Sequence, residues 1–433
     1  MKALAQLALG LLWAGAALAQ PAPQPEPGLE PAQIIAPVWP GLPISGSLRL
    51  QLDEFSANTS GPLQLANRLQ SGLLPTPERG ATLQAELRSS ARYWNATATL
   101  QQQVDEGQGG QSGTSRAWFN ELAATHEAGG WQLSAGKKIV AWDVGYAFRP
   151  NDVVQQEERR TLVSTTAEGR PLLMAEHFDA DTAWSLVWVN PTQSRDALGA
   201  KEPALAARVY QRAGAVDWHG FARYGAHTGA SLGVAGAWVA SDALELHASV
   251  RAMRAADGKV FDPQLSGLAQ STPWQWVNTG AATQALLGGT WTHQSQFSVL
   301  AEAWWDGTAP SDAQWRNWFA RNQLLSDLAA MGAPASAVAG NLAWQTEALS
   351  TTGSLRRSNI YLRLSWEHEN WQPTLDLLYH PADGGRMWTA ALLYKGDRVR
   401  LQGGLRISTG GADAVLGQLP TGRQAYLSGT WTF

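Results

Sequence analysis

The densest mixture of reactive groups in the 433-residue sequence lies in Ala141–Asp152, AWDVGYAFRPND, which runs on into Glu157, Glu158, Arg159 and Arg160. Asp143, Arg149, Asp152 and the four charges after them would set both signs of charge at one place. Gly145 allows a sharp bend there, and Pro150 stops a strand from continuing. Such a stretch suits an electrostatic constriction, and it also suits an external loop held by its own ion pairs. His126-Glu127 and Glu367-His368-Glu369 come nearest to His–carboxylate chemistry. There is no G-x-S-x-G elbow and no H-E-x-x-H pair. With no Cys anywhere, thiolate metal sites and disulfides are excluded. No catalytic residue, metal or cofactor is expected, and an enzyme is not the reading these residues favour.

The elements that would position these groups are strands. In the last nine residues Ala425, Leu427, Gly429, Trp431 and Phe433 share one face, and Tyr426, Ser428, Thr430 and Thr432 share the other. The same period of two separates Val399, Leu401, Leu405 and Ile407 from Arg400, Gln402, Arg406 and Ser408, and Leu244, Leu246, Ala248 and Val250 from Glu245, His247, Ser249 and Arg251. Eighteen such segments can be drawn, near 46–55, 81–93, 95–105, 116–128, 131–143, 171–179, 182–191, 204–214, 216–226, 230–240, 243–253, 284–294, 296–307, 358–368, 372–381, 386–395, 398–409 and 425–433; sixteen is the alternative count. Most have about ten residues, enough for a tilted strand to cross a bilayer. Every even-numbered strand ends in a short turn, and the long connections follow odd-numbered ones. This is the parity of an antiparallel transmembrane β-barrel. The register directs Arg88, Arg92, Arg208, Arg212, Arg223, Arg251, Arg363, Arg400 and Arg406 into the lumen, where they either brace a wet wall or guide anions.

The ends and the composition fit this plan. Lys2, the apolar run Ala3–Ala17 and the small residues around Ala19 read as a signal peptide over 1–19. A Pro-rich periplasmic lead would cover 20–45, and the barrel 46–433. After the leader no window approaches the ~18–20 apolar residues of a membrane helix. The net charge of −4 indicates neither a nucleic-acid partner nor a polyanionic tail, and 22 Trp suit a surface that meets both lipid and water. Inside the longest connection, Ser311 and Gln314 have capping-box spacing, Trp315, Trp318 and Phe319 share a face, and Gly332 is a stop: a helix over 311–331 is expected across the outer mouth.

The terminal strand ending in Trp431 and Phe433 resembles the C-terminal signature of bacterial outer-membrane barrels. That resemblance implies embedding in outer-membrane lipid and recognition by the barrel assembly machinery. The stretch after the fifth strand resembles outer-membrane porins, in which that loop folds inward and narrows the lumen; the architecture also resembles, more loosely, alginate-export-type barrels. No calcium-binding acidic repeat for trimer contacts is present, and a homo-oligomer is left open. The resemblance implies a porin-like channel, and the inward arginines point to small, anionic solutes. Two alternatives are an exporter of an anionic polysaccharide and a non-transporting barrel that anchors or assembles envelope components.

Overall fold

A computed structural model describes residues 38–39, 42–108, 110–155, 162–163, 166–192, 201–262, 268, 271–349 and 353–433. Eighteen antiparallel strands close on themselves. They are β1 Leu42–Ala57, β2 Thr76–Ala91, β3 Trp94–Gln108, β4 Gly110–Ala128, β5 Trp131–Lys138 and β6 Arg170–Phe178, followed by β7 Thr182–Val189, β8 Ala204–Ala213, β9 Val216–Gly225, β10 Gly229–Ser241, β11 Leu244–Met253 and β12 Ala282–Thr292. The last six are β13 Phe297–Asp306, β14 Ser358–Trp366, β15 Trp371–Tyr379, β16 Arg386–Lys395, β17 Val399–Thr409 and β18 Thr421–Thr432. Each pairs with its sequence neighbours, and β1 meets β18 with Leu50 opposite Gly429. A ring of this strand number, spaced ~4.8 Å and tilted ~40°, is about 35 Å across between backbones.

Alternation sets the two faces. Leu427 is exposed to the outside while Tyr426 and Ser428 are buried inside; Leu246, Ala248 and Val250 face out while His247, Ser249 and Arg251 face in. Trp131, Trp184, Trp218, Trp238, Trp291, Trp366 and Trp371 lie exposed near the short-turn end, and Trp188, Trp305 and Trp388 towards the other end. These positions match the belts that indole rings form at the two membrane boundaries. No helix of the described residues is long and apolar enough to cross a membrane.

The sequence-drawn strands all recur, with displaced ends. β1 starts at Leu42, inside the segment assigned to the lead, because Ile44 and Ser45 already pair with Ser89 and Arg88. β3 and β4 extend to Gln108 and from Gly110, forming a tall hairpin at the mouth. β5 stops at Lys138 instead of continuing to 143. Gly136 there has φ +128, where a Cβ would meet Leu122 O at 2.3 Å, and the next backbone donor, Ile139 N, turns to Glu121 Oε1 at 3.0 Å.

The expected helix forms as α2, Asp312–Ala330, with the capping box between Ser311 and Gln314 in place. Two further helices, α1 (Pro62–Leu69) and α3 (Ala335–Gln345), had no sharp sequence signal. Leu325 of α2, Val338 and Leu342 of α3 and Ala66 of α1 form one buried apolar cluster; Trp315 and Trp318 pack with Leu349 and Val415 in another. Three separate loops therefore make one cap over the outer mouth. A closed ladder with its backbone donors and acceptors paired internally resists detergent until heated. The purified protein is expected to migrate faster in SDS gels unheated than boiled; identical mobility would contradict the closed ring.

Candidate functional site

The connection between β5 and β6 turns into the barrel, and it is first locked to itself. Asp152 Oδ1 accepts from the Trp142 and Asp143 N–H groups at 2.8 and 3.0 Å, and Asp143 Oδ2 accepts from Asn151 N at 2.5 Å. Arg149 donates to the Asp143 carbonyl and lies 3.2 Å from Asp152 Oδ2. Gly145 allows the bend, since a Cβ would lie 2.0 Å from Phe148 O. Burial pushes the Asp152 carboxyl up to about 6 and that of Asp143 up as well; the loop N–H groups and Arg149 pull the other way.

This finger is then fastened to the far wall. Glu302 on β13, fully buried, accepts from Tyr146 N at 2.6 Å and Ala147 N at 2.7 Å, and its Oε1 lies 2.9 Å from His247 Nε2 on β11. His247 Nδ1 in turn faces Glu245 at 3.1 Å. Asn151 Nδ2 donates to Ser249 Oγ and to the Val250 carbonyl at 2.9 and 3.0 Å, Ser249 Oγ donates to Asp143 Oδ2 at 2.9 Å, and Arg251 donates to Pro150 O at 3.2 Å. Two strand glycines create the space. A Cβ at Gly233 would stand 1.8 Å from Asn151 Oδ1, and one at Gly288 would stand 2.5 Å from His247 Nε2.

Apolar packing supports the finger on both sides. Val140, Trp142, Val153 and Val154 form one core with inward-facing Leu172, Met174, Val187, Val189, Ala204, Ala206, Phe221 and Ala235 from β6–β10. Ala147 with Tyr146 and Phe148 packs on Leu286, Trp304, Tyr361 and Leu378 from β12–β15. The inner wall is apolar there because protein rather than water covers it. Further along, the Leu162 carbonyl accepts from Gln402 and Tyr426 on β17 and β18, and Glu168 meets Arg116 and Lys137, each at 2.5 Å. The described parts of the loop thus touch the inner wall from β4 round to β18.

Between this floor and the cap lies a chamber of about 1100 Å³. Among the described residues that line it, eight are Lys or Arg and five are Asp or Glu.

No protein-family model matches the sequence, and no curated protein matches it. In the arrangement of its strands the chain is similar to OccAB1, an outer-membrane channel of Acinetobacter baumannii, at TM-score 0.51 and 8% identity over 90% of this chain and 96% of that one. A mutant porin of Rh. blastica aligns over 90% of this chain and 100% of that one at 10% identity and TM-score 0.41. The chain shares with the OccAB1 channel the fold of a closed antiparallel β-barrel.

Within that barrel the singled-out residues fall into different settings. Asp143, Arg149 and Asp152 belong to the finger's internal lock; Glu157, Glu158, Arg159 and Arg160 lie outside the described residues. Arg88 faces inward beside Glu86 at 2.6 Å, Arg208 lies over the Tyr210 ring, and Arg212 is 3.5 Å from Asp217. Arg223 pairs with Glu202 at 3.0 Å. Arg363 donates to the Tyr146 hydroxyl at 2.8 Å and Arg406 to Thr389 Oγ1 at 3.1 Å, while Arg400 sits opposite Lys395 in the ladder. Arg92 occupies the turn between β2 and β3, over the Tyr93 ring, rather than the lumen wall; the ladder ends at Ala91–Trp94. His126 lies near Tyr93 and His368 stacks on Trp366, both at the turn end of the barrel.

Glu302, His247, Ser249 and Asn151 were not singled out as a group by sequence reasoning. The available signal was glycine inside strands at 233 and 288, which marks close approach of another part of the chain.

Proposed function

We propose that the barrel is a porin-like channel of the bacterial outer membrane for small anionic solutes, with the inward segment 139–155 as its constriction. The carrying observation is the excess of cationic over acidic side chains around the chamber above that loop. Fixed positive charge beside a partly low-dielectric passage is poorly screened, so it raises the local concentration of anions. Arg223 and Arg251 stand on β9 and β11, and Arg149 of the finger, Arg357 just before β14 and Arg406 on β17 line the same chamber. The apolar cores on both flanks of the finger favour a small solute over a polymer chain, for which the loop would have to leave its seat.

Planar-bilayer recordings under a salt gradient are expected to give a reversal potential of anionic sign that shrinks as salt rises. Substituting Arg357→Gln together with Arg406→Gln should move it towards zero. A cation-selective pore indifferent to both substitutions would overturn the anionic assignment, and a silent barrel would favour an anchoring role.

A further inference from the structure

The loop between β11 and β12 carries a hairpin of its own, Asp257–Phe261 paired with Trp274–Asn278. Its cross-strand pairs are Phe261 with Trp274 and Lys259 with Trp276, so all four side chains share one face, and all four line the outer chamber. Phe261 and Trp274 meet edge to face at 5.6 Å, and the Lys259 ammonium lies 5.9 Å from the Trp276 ring. Trp276 is nevertheless 72% exposed, although it stands on an extramembrane hairpin rather than at the lipid boundary. Lys259 ties the hairpin to Glu347 at 2.5 Å, just beyond α3. Helix α2 presents Gln314, Asn317, Arg321 and Leu324 to the same space, one stripe at helical spacing.

We infer that the outer chamber is a saccharide-binding site, with Trp276 as the platform on which a pyranose ring stacks. This rests on the channel reading, not on the sign of its selectivity, and names a class of solute that the chamber captures. Three observations converge. An open indole gains by covering its apolar face, and the ring of a sugar offers C–H groups of matching extent. The polar lining mixes acids, amides and guanidinium groups, which an inorganic anion or an aromatic hydrocarbon would leave partly unpaired, whereas hydroxyls both donate and accept. A chamber of about 1100 Å³ has room for more than one sugar ring.

The test uses the full-length barrel in planar bilayers and in detergent, with maltotriose, trigalacturonate and benzoate as separate probes. Either trisaccharide, added on the loop side, is expected to reduce the current and to change tryptophan emission. Trp276→Ala should weaken that binding about tenfold in a barrel that still conducts, and Trp276→Phe should retain part of it. If the barrel conducts but neither trisaccharide alters current or emission, the saccharide site is refuted and the channel stands. Emission changes from a barrel that does not conduct would refute the channel and keep the site. A response to benzoate alone would overturn the saccharide assignment in favour of an aromatic acid.

Discussion

Glu302→Ala is expected to release the inward finger and turn a steady channel into a wider, noisy one. The Glu302 carboxylate accepts from two loop N–H groups and contacts His247, all inside the wall. Removing it leaves those groups buried without their acceptor, a loss on the order of 3–5 kcal/mol. That would shift the docked-to-undocked ratio of the loop by more than about a hundredfold if no other contact compensated. Asn151 and Pro150 still hold the wall through Ser249, Val250 and Arg251, so the single variant should flicker and Glu302→Ala with Asn151→Ala should stay open. Glu302→Gln keeps one acceptor oxygen and should fall between wild type and Ala. Single-channel recording reads all of these; unchanged conductance and noise in the double variant would mean that apolar packing alone seats the loop.

Deleting Phe433 should produce the other large effect, a loss of inserted barrel on the order of tenfold, because the residue closes the seam. Phe433 N donates to Gly46 O and Gly46 N to Phe433 O, both at 2.9 Å. A Cβ at Gly46 would stand 2.7 Å from the Phe433 ring and 2.6 Å from Glu86 O, so the ring lies flat over that glycine. Trp431 packs beside it with centroids 5.1 Å apart. Two ladder hydrogen bonds at about 1 kcal/mol each net are together worth roughly thirtyfold, so a loss of at least about tenfold is expected. The heat-modifiable band in outer-membrane fractions measures it, and Gly46→Val should act from the other side of the same seam. Phe433→Leu separates two causes: it keeps the ladder, so normal refolding in detergent with poor insertion in cells would point to recognition of the aromatic end by the assembly machinery. Full insertion of the deletion variant would remove Phe433 from both roles.

What the sequence by itself determined is what depends on neighbours along the chain. Alternation with a period of two is local, and it placed all eighteen strands and the faces of runs such as Val399–Ser408 and Leu244–Arg251. Short polar turns after even strands gave the orientation, and the Ser311/Gln314 capping box gave α2 its start. What only the tertiary structure decided is what closure brings together. Tyr146 and Glu302 lie 156 positions apart and Asn151 and Ser249 lie 98 apart, and they meet only because the ring carries β11 and β13 opposite the end of β5. The same closure explains why β6–β9 carry apolar residues such as Met174, Val187 and Phe221 on their inner face: the strand pattern leads one to expect water there, and the folded-in loop replaces it with Trp142 and Val153. It also sorts the arginines: Arg149, expected at a constriction, lies within hydrogen-bonding reach of Asp143 and Asp152, and of two expected to face the lumen Arg363 reaches Tyr146 while Arg92 drops into a turn. A linear pattern records which face a side chain takes, but its partner is set by the curvature of the whole sheet.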